Sequence, residues 1–183
     1  MEVLGIFTAF GLSASAGLNA YIPLLIVALL ARFTNLITLR APWDTLSSWW
    51  IIGILVVLSL VEFFADKFPA VNHINDAIQT FVRPAAGAVA FAASANVITD
   101  IHPILAMGMG LLVAGGVHAV KAGAVRPAVT AATGGAGNVP VSILEDLTST
   151  LISILAVVIP VVIACLLVLL TAAIIWWFWR RSK

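Results

Sequence analysis

The sequence is poor in charge, since Lys, Arg, Asp and Glu make up only 9% of its 183 residues. An ordinary soluble domain has about 25%. The net charge of +1 leaves no broad basic face, which argues against a nucleic-acid partner. Cys165 is the single cysteine, so the chain cannot form an internal disulfide. With so few charges and so little cysteine, a cytosolic globular enzyme, a disordered chain and a disulfide scaffold are all excluded.

Apolar residues fill the chain instead, at 62% of the sequence. A membrane-spanning helix needs about 20 mostly apolar residues. We therefore predict an all-α integral membrane protein, with residues 1–183 forming a single transmembrane domain of about five to six transmembrane or re-entrant helices. The candidate spans are Val3–Ala31, Trp49–Ala65, Ala77–Val97, Ile104–Val125 and the long apolar run Val141–Trp179. That last run predicts either two spans turning near Pro160, which we favour, or one span after an amphipathic lead-in.

Two further segments predict irregular backbone. Arg83-Pro84 lies near the middle of the third span, where proline interrupts the hydrogen bonds of a helix, so we expect a broken or re-entrant helix there. Thr133–Pro140 reads TGGAGNVP and predicts a turn. This turn is either an anion-binding nest or a flexible connection to a helix that Ser142 caps.

A weak internal repeat divides the chain into possible halves 1–97 and 103–183. Ala16–Ala20 (AGLNA) resembles Gly115–Ala119 (GGVHA), and an acidic pair follows later in each half. Halves of three segments would be inverted relative to one another in the membrane. Inverted repeats are common in transporters, whose sites lie near the bilayer midplane between the repeats.

The location of the few charges is the strongest signal. Eight lie at ends and loops, while nine lie in or beside apolar spans, where each costs about 2.5–3.5 kcal/mol at a helix centre. Such residues normally face the protein interior and pair with one another. The nine are Glu62, Asp66, Lys67, Asp76, Arg83, Lys121, Arg126, Glu145 and Asp146. Five are acidic and four are basic, so full pairing leaves one carboxylate for a proton or a cation, whereas an unpaired arginine would make an anion site.

Other polar residues fall beside these charges. His118, three residues before Lys121, is the best candidate for a group that titrates near neutral pH, and Asn138 ends the glycine-rich turn. His73 and His118 with the carboxylates offer mixed metal ligands, but their spacing matches no known metal motif. Whether a metal binds is left open, and the sequence predicts no cofactor.

The C-terminus ends in WWFWRRSK, an aromatic belt followed by positive charges. The positive-inside rule places this end in the cytoplasm. Arg32 and Arg40 also favour the cytoplasmic side. With five crossings the C-terminus and the loop of Arg32 and Arg40 lie on the same side of the membrane, and with six they lie on opposite sides.

Several short motifs resemble a family of small bacterial membrane proteins catalogued as domain of unknown function 4126. They are Ala65-Asp66-Lys67-x-Pro69, Thr80-Phe81-Val82-Arg83-Pro84-x-Ala86-Gly87-Ala88, His118-x-x-Lys121-Ala122, Arg126-Pro127, Thr133-Gly134-Gly135-x-Gly137-Asn138 and Ser142-x-x-Glu145-Asp146. The resemblance covers nearly the whole chain. It implies a multi-pass helical protein of the bacterial inner membrane whose functional residues lie in these motifs, and it implies no activity.

The leading functional hypothesis is a small transporter or channel for an ion or small polar solute. Its binding residues would be Glu62, Asp66, Lys67, Asp76, Arg83, His118, Lys121, Arg126, Asn138, Glu145 and Asp146. Two alternatives stay open: a protein that binds or translocates an anionic lipid, and a non-catalytic membrane scaffold. We predict no enzymatic activity, and we rank an intramembrane enzyme behind these two alternatives. The expected partners are the lipid bilayer, the solute and further copies of the chain in a homo-oligomer.

Overall fold

The structure is a computed structural model that describes residues 2–67, 69–95 and 101–181. Side chains are described for 5–67, 75–95, 101–159 and 180. Helices account for most of these residues, and the described ranges contain no strand. In chain order the helices are α1 (Glu2–Leu18), α2 (Ile22–Phe33), a 3-10 turn (Trp43–Ser47), α3 (Trp49–Ala65), α4 (Pro69–Ala95), α5 (Pro103–Val120), a π segment (Lys121–Val125), α6 (Arg126–Thr133) and α7 (Asn138–Arg181).

The first predicted span is not one helix, because the chain breaks between α1 and α2. The Asn19 side-chain oxygen accepts hydrogen bonds from the amides of Tyr21 at 3.1 Å and Ile22 at 3.0 Å. These contacts satisfy amides that begin a new helix. Pro23 follows in the first turn of α2, where a proline is tolerated because its missing N–H has no intrahelical partner. The asparagine and the proline together thus start α2.

The prediction of a break at Arg83-Pro84 is wrong, since α4 continues through Pro84. It also begins earlier than expected, at Pro69. A proline inside a helix is tolerated when neighbouring helices pack against it and its freed backbone groups find partners. Here Ala86, Gly87 and Ala88 are small and buried, and α4 packs against α1 and α5. The second predicted span, Trp49–Ala65, is a helix with these same bounds.

The fourth predicted span extends farther than expected, through the π segment and α6 to Thr133. A π segment inserts an extra residue into a turn and often marks a functional site. The turn predicted at Thr133–Pro140 is confirmed in part: Gly134 and Gly135 have positive φ angles of 61° and 92°, which glycine adopts without steric cost.

The favoured turn near Pro160 is wrong, because α7 is a single helix of 44 residues. At 1.5 Å per residue it is about 66 Å long, about twice the thickness of a bilayer core. Ser142 does not cap this helix. It lies inside α7, four residues after the first helical residue Asn138, and is fully buried.

Small residues bring α1, α4 and α5 into close contact. We call this region the small-residue crossing and define it by Ser13, Gly17, Gly87, Gly110 and Ala114. A Cβ atom at Gly87 would collide with the Ala114 side chain, and one at Gly110 would collide with the Gly87 carbonyl oxygen. One at Gly17 would lie 2.6 Å from the Ala114 carbonyl oxygen. Small residues are the usual means by which helices in membranes approach closely.

Apolar side chains lie on the outside of the fold and charged side chains lie inside it, the reverse of a soluble protein. Many large apolar side chains are exposed, such as Trp50 on α3, Phe81 on α4 and Leu112 on α5, while buried positions hold charged groups including Glu62 and Arg83. Among the described residues, the two helical stretches Pro103–Thr133 and Asn138–Ile159 are long and apolar enough to cross a membrane. The protein is therefore helical with apolar helices whose outer faces suit a lipid environment.

Candidate functional site

All nine charged residues predicted within spans take part in ion pairs in one region of the fold. Seven of them form a continuous set of ion pairs that we call the charge network: Glu62, Asp66, Asp76, Arg83, Lys121, Arg126 and Glu145. The other two, Lys67 and Asp146, form a pair beside it that we call the rim pair. These residues are contributed by α3, α4, the π segment, α6, α7 and the turn after α3.

The deepest part of the charge network is the pair between Glu62 on α3 and Arg83 on α4. The Arg83 guanidinium donates to Glu62 Oε1 from Nη2 at 2.9 Å and from Nε at 3.2 Å. Both side chains are 0% exposed. Two hydrogen bonds to one carboxylate oxygen offset part of the cost of burying both charges.

Asp66, which follows α3, is the hub of the network. Its Oδ2 atom lies 3.1 Å from Arg126 Nη2, 3.4 Å from Arg83 Nη2 and 3.8 Å from Lys121 Nζ. Its Oδ1 atom accepts a hydrogen bond from Asn75 at 2.7 Å. One carboxylate therefore compensates three buried cations, and it joins α4 to the π segment and α6.

Glu145 connects α7 to the same cations. Its Oε2 atom lies 2.8 Å from Lys121 Nζ and 3.1 Å from Arg126 Nη2. Arg126 also reaches Asp76 on α4, but only at 3.7 Å from Nη1 to Oδ1. Asp76 is thus the network carboxylate that lies farthest from its nearest cation.

The break between α1 and α2 lies directly against the network. Lys121 Nζ donates to the Leu18 carbonyl at 2.8 Å, and the Ala20 amide donates to Glu62 Oε2 at 3.1 Å. Backbone groups freed by the break are therefore satisfied by charged side chains. Interrupted helices of this kind, whose backbone faces a charged site, form the binding sites of many transporters.

The rim pair joins the break to α7. Lys67 Nζ lies 3.1 Å from Asp146 Oδ2, and the Asn19 amide donates to Asp146 Oδ1 at 3.0 Å. Lys67 also donates to the Phe63 carbonyl and lies over the Phe63 ring, 3.2 Å from its centroid. The side chains of Lys67 and Asp146 are 14% and 11% exposed, so the rim pair is nearer the surface than Glu62 and Arg83.

His118 is held in one tautomer. Arg83 Nη1 lies 3.2 Å from His118 Nδ1, and an arginine can only donate, so Nδ1 accepts and carries no proton. The proton is then on Nε2, which lies 3.3 Å from the Thr80 hydroxyl. Protonating Nδ1 would set an N–H against the guanidinium. This geometry opposes the prediction that His118 titrates near neutral pH and fits a neutral positioning role.

Asn138 does not reach the charge network. Its amide donates to the Thr130 hydroxyl at 2.9 Å, and the Gly137 amide donates to the Thr133 hydroxyl at 2.9 Å. The glycine-rich turn thus uses these groups to connect α6 to α7. Of the predicted site residues, Asn138 alone has its described contacts elsewhere.

Sequence reasoning missed the neutral partners of the charges. Asn19 and Asn75 each donate to a network or rim carboxylate. A line of hydroxyls was missed too, since Ser15 on α1 lies 2.7 Å from both Ser149 and Ser153 on α7. The spacing of Glu145, Ser149 and Ser153 along one face of a helix was the available signal.

Metal ligation gains no support from the described side chains, among which no group of three or more His, Cys, Asp or Glu residues is arranged to hold an ion. The carboxylates lie against lysine and arginine instead. His73, a ligand considered from the sequence, lies outside the described side chains.

Comparison with known proteins identifies the family and nothing further. No curated protein and no solved structure matches the chain. The model of one family, described as a domain of unknown function, matches residues 6–180. That range includes every residue of the charge network and of the rim pair, so the chain belongs to the DUF4126 family.

Proposed function

We propose that this protein is a small multi-pass membrane transporter or channel for a cation or small polar solute, and that the charge network is its binding site. The observation that carries the proposal is the location of the network at an interrupted helix. Glu62 and Lys121 bind backbone groups of the segment between α1 and α2 while also pairing with other network residues.

The number of buried charges favours a functional role over simple packing. Each ionisable group within a membrane costs several kcal/mol unless it is paired, and such groups usually mark pathways for ions or substrates. Replacing a buried ion pair by apolar residues is often neutral or stabilising. A chain that needed only stability would therefore gain little from nine charges in its interior.

The anionic-lipid alternative has less support. Its phosphate would need Arg83, Lys121 and Arg126, but each of these cations already lies within 3.1 Å of a carboxylate oxygen. The glycine-rich turn, which would complete such a site, makes its described contacts with Thr130 and Thr133 instead. A scaffold would need the same network only for assembly, and the flux experiment below separates that role from transport.

The wider membrane arrangement belongs to the same proposal. We place the protein in the bacterial inner membrane with its C-terminus in the cytoplasm, and we expect it to form a homo-oligomer. Within each chain, residues 1–97 and 103–183 would be related as inverted repeats. Fluorescence from a C-terminal reporter, read in intact cells and inverted vesicles, tests the orientation.

Flux into proteoliposomes tests the function. Purified protein would be reconstituted, and uptake of protons, sodium and potassium would be followed with internal indicator dyes. Asp66→Asn and Glu145→Gln remove anionic partners of Lys121 and Arg126, so we expect at least a tenfold loss of flux for each. Asp44→Asn, at an exposed carboxylate in the loop before α3, is the matched control and should retain flux.

Assembly must be measured beside flux. Size-exclusion chromatography of each variant should give the elution volume of the native protein. If both Asp66→Asn and Glu145→Gln transport at the rate of the unmodified protein, the charge network is not the binding site. Flux lost only together with assembly would favour the scaffold. Native mass spectrometry after gentle solubilisation adds a third readout: a lipid-sized adduct that Arg83→Gln abolishes would favour the lipid alternative.

A further inference from the structure

The charge network contains one more carboxylate than it has cations. Its acids are Glu62, Asp66, Asp76 and Glu145, and its bases are Arg83, Lys121 and Arg126. The rim pair is balanced, and His118 is held neutral by the Arg83 contact. One negative charge is therefore left for an exchangeable counter-charge.

The contacts identify which carboxylate carries the surplus. Glu62, Asp66 and Glu145 each have an oxygen within 3.1 Å of an arginine or lysine nitrogen. Asp76 has its ion pair at 3.7 Å, and among the described residues its Oδ1 atom accepts no hydrogen bond although that atom is inaccessible to solvent. An inaccessible carboxylate oxygen without a donor is costly while it is charged.

Asp76 is also the most accessible acid of the network, with 27% of its side chain exposed, against 0% for Glu62 and 2% for Asp66. A group that exchanges with water must be reached from outside, and the other acids are shielded by their cations. Asp76 is thus both the least compensated and the most accessible carboxylate.

We propose that Asp76 is the proton-exchanging residue of the network, which makes the proton the ion that this site binds. This inference rests on the proposed function. One carboxylate oxygen suffices for a proton, whereas hydrated divalent ions require several oxygen ligands, and Glu62, Asp66 and Glu145 each have an oxygen close to a cation. When Asp76 takes up a proton, one of its carboxylate oxygens becomes a hydroxyl group and the network becomes electrically neutral.

Several charged groups surround this exchange. Arg126 faces Asp76 from α6 and shares its Nη2 atom between Asp66 and Glu145. On the α5 side, His118 lies 3.3 Å from the Thr80 hydroxyl, which donates to the Asp76 carbonyl at 2.8 Å. Lys121 pairs with Glu145, which Arg126 also contacts. Protonation of Asp76 therefore releases one face of Arg126 while its other contacts are unchanged.

A hydrophobic carbodiimide tests the assignment, because such a reagent modifies protonated carboxyl groups in apolar surroundings. The full-length protein in lipid vesicles would be treated over a range of pH, and the adduct would be located by peptide mass spectrometry. We expect one dominant adduct at Asp76 that falls at least tenfold as pH rises. Asp76→Asn should abolish it, Asp76→Glu should restore it, and Asp44→Asn should leave it unchanged.

The dominant adduct on Asp66, Glu62 or Glu145, or no pH-dependent adduct in the correctly assembled protein, would overturn the inference. Proton flux in the same vesicles separates this result from the proposed function. An adduct at Asp76 without flux of any ion would keep Asp76 as a proton site and remove the transporter. Flux that persists in Asp76→Asn, with an adduct elsewhere, would keep the transporter and remove Asp76.

Discussion

The small-residue crossing and the charge network share α4 and hold helices together by opposite means. At the crossing, α1, α4 and α5 approach so closely that a single added methyl group at Gly87 or Gly110 would collide with a neighbour. At the network, long side chains such as Arg83 and Lys121 span the space between helices and connect through ion pairs. The crossing is sensitive to size and the network is sensitive to charge.

This difference assigns separate tasks to the two regions. Packing at the crossing depends on dispersion contacts, which are lost when the packed atoms move apart. These contacts therefore fix the distance between the helices. An ion network can exchange partners without changing volume, because one cation contacts several carboxylates. We therefore expect the crossing to keep its helices fixed when the ion pairs of Asp66, Asp76 and Glu145 change.

The largest effect should come from breaking the network at its deepest pair. Arg83→Gln removes the cation that contacts Glu62 and Asp66 and leaves Glu62 buried and uncompensated, which costs about 3–5 kcal/mol. We expect a large fall in the free energy of unfolding, measured by denaturant titration in detergent micelles.

The double variant Glu62→Gln, Arg83→Gln is the control for charge. It removes both members of the pair, so it should recover more than half of the lost stability. If the double variant is as unstable as Arg83→Gln, then shape and not charge compensation is what matters at this pair.

A smaller effect is expected at the crossing, where size matters. Gly110→Ala would place its Cβ 2.6 Å from the Phe91 Cβ and 2.8 Å from the Ala88 Cα, and overpacking of this kind costs about 1–3 kcal/mol. Gly116→Ala lies on the same helix with no atom within 4 Å of its Cβ. It should be neutral or stabilising by about 0.5–1 kcal/mol, since alanine favours helix. Thermal unfolding of both variants gives the comparison, and equal melting temperatures would contradict it.

The smallest effect should come from the line of hydroxyls between α1 and α7. Ser149→Ala removes the contacts that the Ser149 hydroxyl makes with the Ser15 hydroxyl and the Ser15 carbonyl. The Ser15 hydroxyl keeps the Ser149 carbonyl and the Ser153 hydroxyl as partners. Hydrogen bonds of this kind between helices in membranes average about 0.6 kcal/mol. A loss above about 2 kcal/mol in the same unfolding assay would show that this line is a structural centre in its own right.

Charge and apolarity were sufficient to predict which residues would come together. Glu62, Arg83 and Glu145 were identified because a charge within an apolar run has few stable locations other than a protein interior. Their pairing could not be derived, since it depends on how α3, α4 and α7 are positioned relative to one another. Asn19 was missed for a related reason: a neutral amide costs less within an apolar run, so it gives a weaker signal.

The prolines show the limit of local reasoning. Pro84 and Pro160 were expected to end helices, yet α4 and α7 continue through both. The break lies before Pro23, where Asn19 supplies a hydrogen-bond acceptor and where Glu62 and Lys121 supply partners for the backbone. A proline weakens a helix, but whether the chain breaks depends on tertiary partners that no local pattern contains.

The interrupted segment between α1 and α2 also constrains the order in which the protein can be made. The Ala20 amide finds its partner 42 residues later in the chain, and the Leu18 carbonyl finds its partner 103 residues later. At about 5–20 residues per second, a ribosome needs about 5–20 s to synthesise that second interval. The first part of the chain therefore leaves the ribosome long before the partners of these two backbone groups exist. The hydrogen bonds of this segment can be completed only after Lys121 has been synthesised.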